Sequence, residues 1–193
     1  MRKNRLRQIC VILGVVLLAA AIGALIWWNW TVGHSEIQAA NYVATLRSLL
    51  PEPRDATPEP RRDNTMAVLP LDGTDFVGIL EMPGYGLTLP VGADWGHTYQ
   101  YPCRFSGSIY DGSLQVGATT QKGQFDFYRE LSVGDRVVYT DMEGNRYTFR
   151  ITGLRQESHV DQTTLSRAEA SLVLFVKNIY SFEYLIIFCN VLQ

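Results

Sequence analysis

Hydrophobic positions along the chain fall into three textures. From Ile9 to Trp28 the run "ICVILGVVLLAAAIGALIWW" carries no charge. About 20 apolar residues rising 1.5 Å each span a hydrocarbon core of about 30 Å, so this run predicts a transmembrane helix. "SEIQAANYVATLRSLL" follows with apolar residues at Ile37, Ala40, Val43, Ala44, Leu46 and Leu50, a helical spacing with Ser35 as its N-cap. From Val68 onward the pattern changes to short apolar runs broken by Gly, Pro and Asp, which predicts strands. "FVGILEM" and "LTLPV" flank the turn Pro83-Gly84-Tyr85-Gly86, and "SLQVGAT" is a further strand. "QFDFYREL" fits a short helix before the turn at Val133-Gly134-Asp135. "RVVYTDMEGNRYTFRITGL" sets two alternating runs around Asp141, Gly144 and Asn145, which is hairpin chemistry. "TTLSRAEA" reads as another short helix, and "SLVLFV" and "YLIIFCNVL" are nearly continuous apolar runs, as central strands are. About eight short strands with little helix predict a mainly β fold, a compact closed β-barrel with short helices, preceded by the transmembrane helix.

The flanks of the apolar run set its orientation. "MRKNRLRQ" supplies Arg2, Lys3, Arg5 and Arg7, and Trp27, Trp28 and Trp30 sit where an interfacial aromatic belt belongs. The cationic side stays cytoplasmic, which places the remainder of the chain outside the cell membrane. A cleaved signal peptide is the rival reading. Its apolar core would be about 7 to 15 residues long and would end in small-x-small, whereas this one is longer and ends in Trp. "PEPRDATPEPRRDNT", with Pro51, Pro53, Pro58 and Pro60 among many charges, reads as an extended, solvated spacer. The expected division is therefore a basic tail at 1–8, an anchor at 9–30, a juxtamembrane helix and proline-rich spacer at 31–67, and an extracellular β domain at 68–193.

Composition narrows the functions. With 193 residues, 47% of them hydrophobic, and a net charge of -2, the chain holds one globular domain besides the anchor and has no basic field for nucleic acid. Cys10 lies within the apolar run. Cys103 and Cys189 fall in the exported part, where a disulfide between them is chemically permitted. His, Cys, Asp and Glu show no ligand spacing, so neither a metal nor a cofactor is expected. His97 in "DWGHTY" and His159 in "QESHVDQ" read as loop residues, and His34 as juxtamembrane.

The order of segments is itself informative. "VGILEMPGYGLTLPV", "YPCRFSGSIYDGSLQVGA", "LSVGDRVVYTDMEGNRYTFRI", "SLVLFV" and "YLIIFC" resemble, in that order, the sortases of Gram-positive bacteria on their class B and class D side. The resemblance covers about Phe76 to Leu192 and implies a membrane-anchored cysteine transpeptidase on an eight-stranded barrel. In that family a cysteine thiolate attacks a sorting signal such as Leu-Pro-x-Thr-Gly, a histidine protonates the leaving amine, and an arginine stabilises the oxyanion. Carried over by position, the family's Gly-His matches Gly117-Ala118. Its cysteine matches Lys177, and its arginine matches Tyr184, or Glu183 if the loop shifts by one. All three catalytic positions are thus occupied by other residues. Ala118 transfers no proton, and Tyr184 donates a hydrogen bond without a guanidinium's charge. Lys177 becomes a nucleophile only if burial lowers its pKa by several units. Cys103 and Cys189 match non-catalytic family cysteines, and a Ser181–Lys177 dyad is a remote alternative.

Three readings stay open. One is a degenerate sortase-like domain that binds a sorting-signal-like peptide, a pilin or another surface protein. The second is an active sortase with atypical or misaligned catalytic residues. The third is a purely structural ectodomain, and the contents of the cleft around Ala118, Lys177 and Tyr184 discriminate among them.

Overall fold

A computed structural model describes residues 2–161, 165 and 170–192, and for residues 2–11 and 27–36 the backbone alone. The chain divides into two units, Met1–His34 and Ser35–Gln193. A single helix, α1, runs Arg2–Leu49. Along it Ile12, Leu13, Val16, Leu17, Ile22, Leu25 and Ile26 are all exposed, so this part of the helix is apolar all round, with no core-facing stripe. The expected span Ile9–Trp28 lies partly outside the residues whose side chains are described. Among the described residues no helix is long and apolar enough to cross a membrane.

Ser35 is not an N-cap, because the helix passes through it without a break. The last turns of α1 use a different face from the one expected. Ala39, Val43 and Leu46 are buried, while Ile37, Ala40 and Ala44 are exposed. Positions 39, 43 and 46 are the 3.6-residue stripe that the barrel selects. Val43 and Leu46 join Phe76, Ile79, Tyr101, Cys103 and Met142 in one apolar cluster.

The barrel is a closed ring. Its strands are β1 (Arg54–Ala56), β2 (Leu69–Leu71), β3 (Thr74–Met82), β4 (Leu87–Gly92), β5 (Cys103–Ser106), β6 (Leu114–Thr119), β7 (Arg136–Asp141), β8 (Asn145–Glu157), β9 (Leu172–Lys177) and β10 (Tyr184–Val191). Pairing runs β8-β10-β9-β6-β5-β4-β3, and β7 bridges β3 back to β8, so eight strands close on themselves. Closure removes sheet edges, and the alternation of each strand sends Leu80, Val116, Phe149, Leu174 and Ile187 into one interior. β1 and β2 lie outside the ring, on β8 and β3. Two short 3-10 helices, Pro83–Tyr85 and Trp95–His97, connect strands.

Two expected helices meet a correction and a limit. "QFDFYREL" forms successive turns rather than a helix, with Tyr128 N–H donating to Phe125 O and Glu130 N–H to Phe127 O. The stretch is too short to nucleate a helix alone, and burial of Phe125 fixes it to the barrel. "TTLSRAEA" lies outside the described residues apart from Leu165, which is buried, and Ala170.

The proline-rich segment is strapped to the barrel over part of its length. β1 pairs with β8 in parallel, and Arg54 Nε donates to Asn145 Oδ1 at 2.8 Å. Arg61 Nη1 donates to both carboxylate oxygens of Glu143 at 2.9 and 3.1 Å, and the guanidinium lies 3.7 Å over the Tyr110 ring. Gly144, at φ 79, lets the chain at Pro51 and Glu52 pass close by, where a Cβ would crowd it.

Candidate functional site

The ends of three neighbouring strands position the family-matched residues. β6 and β9 run parallel, with Gly117 beside Phe175, Ala118 beside Val176 and Thr119 beside Lys177. β10 runs antiparallel to β9 and puts Tyr184 beside Lys177. Thr119, Lys177 and Tyr184 therefore form one row across three strands. Successive strand residues point to opposite faces. Ala118 and Val176 belong to the interior cluster, so the row one residue later lies on the outer face with Phe175 and Ile186, where Thr119 is itself covered at 2% exposure while Lys177 and Tyr184 are half-buried. The structure brings Lys177 and Tyr184 together and turns Ala118, 5% exposed, to the other side of the sheet.

Lys177 is half-buried, and its Nζ lies 5.9 Å from the Phe182 ring centroid, a cation–π contact. The connecting loop is held by Asn178. Its Oδ1 accepts from the backbone N–H groups of Tyr180 and Ser181, and its Nδ2 donates to Tyr128 Oη at 2.9 Å. Phe182 takes a left-handed φ of 61 within this loop, and both Tyr180 and Phe182 project into solvent. Ser181 Oγ bonds Glu183 at 3.2 Å rather than Lys177, so no Ser–Lys dyad is assembled, and Glu183 faces solvent.

The outer surface beside this row is filled by an indole. Trp95 stacks on Phe175 with centroids 5.4 Å apart and meets Phe105 edge-on at 5.1 Å. Its ring lies against Gly117, where any Cβ would collide with it. Reading "DWGHTY" for its histidine passes over this residue. The available signal is Gly117 itself, since a glycine inside a strand marks a close approach by another group.

Neither thiol is placed for nucleophilic work. Cys103, on β5 beside Gly117, lies 3.5 Å from Tyr101 O, and burial pushes its thiol up to about 11. Cys189 is inside the barrel, and burial raises it further. Because the thiolate is the reactive form, both are inert at neutral pH. They are free, and they belong to separate clusters, so the permitted disulfide is not formed. His97 faces the Tyr101 ring at 5.9 Å, and His159 is exposed in the segment after β8. The side chains of Cys10 and His34 lie outside the described residues.

These shifts share one sign, which sets a pH dependence. Burial raises Cys103, Cys189 and Tyr139, and the hydrogen bond from Tyr85 Oη to Asp135, ahead of burial, pushes Tyr85 up to about 12. An acid raised on folding contributes stability that is fully present below its unfolded value and is lost as pH climbs toward its folded one. The urea midpoint is therefore expected to hold from neutral pH to about 8.5 and to fall progressively above about 9. Cys103→Ala flattens the part of that fall lying between about 9 and 11. A midpoint that stays level or rises at alkaline pH would contradict the burial of these groups.

No protein-family profile matches the chain, and no curated protein is similar to it in sequence. Solved structures match its fold. Sortase A from Corynebacterium diphtheriae superposes with a TM-score of 0.52 and 11% identity over 61% of this chain and 61% of that one. A Clostridium perfringens sortase D5 transpeptidase gives 0.52 and 12%, covering 61% of this chain and 79% of the other. Sortase C-1 from Actinomyces oris gives 0.51 and 13%, covering 60% and 73%. The chain thus spans about three fifths of the first of these. The fold is that of the sortases, and the matched structures, labelled A, C and D, do not select the class B or D side.

Proposed function

We propose that the chain is a sortase-family protein of the Gram-positive cell surface. In this reading Ile9–Trp28 anchors it in the membrane and the catalytic centre is degenerate. The barrel holds a sorting-signal-like peptide or a pilin-like surface protein without cleaving it, as an accessory to surface-protein anchoring. One observation carries the reading. The shared end of β6, β9 and β10 presents Thr119, Lys177 and Tyr184 in one row, a hydroxyl, an ammonium and a phenol where acyl transfer uses a thiolate, an acid and a cationic oxyanion donor. The uncharged run with its cationic flank supports the anchor. The exposed aromatic surface of Trp95, Phe105, Tyr180 and Phe182 supports retained binding.

The test uses the full chain in neutral detergent micelles and a fluorescent Leu-Pro-x-Thr-Gly peptide. Saturable binding is expected with no shortening of the peptide by mass spectrometry, and Trp95→Ala should weaken that binding about tenfold or more. Cleavage that disappears in Cys103→Ala would replace this reading with an active enzyme using a relocated nucleophile. Absence of binding would leave a structural ectodomain.

A further inference from the structure

A second site lies on the β7–β8 part of the ring, at the Val191–Leu192 end of β10 rather than at its Tyr184 end. Residues of the 55–61 segment, which continues from β1 at the edge of β8, line a cleft of about 970 Å³ together with Arg136, Arg146, Thr148 and Arg150. The arginine face follows from strand alternation. Arg146, Thr148 and Arg150 are every second residue of β8 and share its outer face, while Tyr147 and Phe149 between them are buried. Arg136 is the direct cross-strand partner of Arg150.

Two like charges directly opposite each other destabilise a sheet pair, yet among the described residues no ion pair neutralises these. Among the described residues ion pairs form at Arg47, Arg61 and Arg155, and none is formed by Arg136, Arg146 or Arg150. Arg146 Nε is buried and has no hydrogen-bond partner. The strap brings two carboxylates to the cleft, Asp55 and Glu59, and neither is paired with these arginines. Arg61 also lines the cleft, but its charge is paired with Glu143 through Nη1. Three unpaired guanidinium groups thus meet two acids, in a chain whose net charge is -2. The arginines are a local arrangement rather than part of a general basicity.

We propose that this cleft binds a linear polyanion bearing repeated phosphate groups. Guanidinium forks match phosphate oxygens two at a time, and a phosphate accepts from several donors at once. Spacing selects a chain over a single ion. Arg136 and Arg150 converge across one strand pair, about 5 Å apart at Cα. Arg146 stands four residues further along β8, about 13 Å away. One orthophosphate engages only those side chains that bend toward a single point. A chain of phosphates satisfies all three and passes the Thr148 hydroxyl between them.

The experiment uses the full chain in neutral detergent micelles, titrated calorimetrically with linear polyphosphate of roughly ten phosphates and, separately, with orthophosphate. Saturable polyphosphate binding is expected, at least tenfold tighter than orthophosphate and weakened fivefold or more in each of Arg136→Ala, Arg146→Ala and Arg150→Ala. Arg62→Ala, outside the cleft, leaves it unchanged. A second readout does not depend on titration. Arg150→Ala relieves the opposed pair and so raises the melting temperature of the free protein, while a fixed polyphosphate concentration raises that of the unaltered chain by more than that of the variant. Equal losses from Arg62→Ala and the cleft variants, or none from either, would reduce the binding to diffuse charge and overturn the proposal. So would stabilisation by phosphatidylglycerol-doped micelles in place of soluble polyphosphate, which would make the ligand a lipid headgroup. None of these outcomes bears on the row at Lys177.

Discussion

Full-length protein incubated with a Leu-Pro-x-Thr-Gly peptide and an amine acceptor is expected to leave the peptide uncleaved throughout the neutral range. Proton transfer by a placed acid contributes roughly 10²- to 10⁴-fold, and one oxyanion donor roughly 10²- to 10³-fold. Without a nucleophile these have no covalent intermediate to act on. The register says how to reinstate the chemistry. Lys177→Cys and Tyr184→Arg sit side by side on β9 and β10, and the residue in the same row on β6 is Thr119, not the family-matched Ala118. Thr119→His together with Lys177→Cys and Tyr184→Arg should therefore give measurable acyl-enzyme, seen as a mass adduct on the new cysteine. Ala118→His with the same two changes should give none. Both β6 changes lower the melting temperature, because Thr119 at 2% and Ala118 at 5% exposure are alike buried and a buried imidazole without a partner costs about 1 to 3 kcal/mol, so the adduct and not stability separates the two triples. Equal adducts from the two triples would show that the row does not define the site. Turnover by the unaltered chain would remove the degenerate reading altogether.

That one-residue offset shows where sequence reading runs out. Matching Gly117-Ala118 to a Gly-His motif locates β6 and its end, but a strand's side chains alternate, so a shift of one residue exchanges one face of the sheet for the other. The strands themselves were legible. "DMEGN" between alternating runs folds as the β7–β8 turn, with Gly144 at φ 79. The apolar runs holding Leu174 and Ile187 lie side by side. Less legible was the strap. Proline and charge between Pro51 and Thr65 signal solvation, and most of those residues are indeed exposed. Arg54 and Arg61 nonetheless have side-chain hydrogen-bond partners, Asn145 and Glu143, more than eighty residues away. Long-range pairs of this kind leave no periodicity in the chain. The face of α1 was misjudged for a related reason: Ile37 and Ala44 are as apolar as Val43, and only the position of Phe76 and Tyr101 decides which stripe is buried.

The largest stability effect outside the core is expected at Asp141. Its carboxylate is 1% exposed and accepts from four donors. These are the backbone N–H groups of Glu143 and Asn145 at 2.9 and 2.8 Å, Asn145 Nδ2 at 2.8 Å and Tyr147 Oη at 3.2 Å. The first three close the β7–β8 turn, and the Asn145 side chain carries the load onward, because its Oδ1 accepts from Arg54 on β1. Asp141→Ala leaves buried donors unpaired at about 1 to 3 kcal/mol each for those that water cannot reach. A total of roughly 3 to 5 kcal/mol follows, a fall in melting temperature of about 8 to 15 °C for a domain of this size. Asp141→Asn keeps an acceptor for the backbone N–H groups but sets its own N–H₂ against Asn145 Nδ2 and the Tyr147 hydroxyl, so it should lose about half as much. The two variants also separate turn from strap. Once Asn145 is no longer held by Asp141, Arg54 loses its fixed partner, and trypsin should cut after Arg54, Arg61 or Arg62 at a temperature where the unaltered barrel resists it. If Asp141→Ala melts within about 2 °C of the unaltered protein, or melts early with the strap still protected, then the carboxylate does not couple the hairpin to β1, and the strap is held by Arg61 and Glu143 alone.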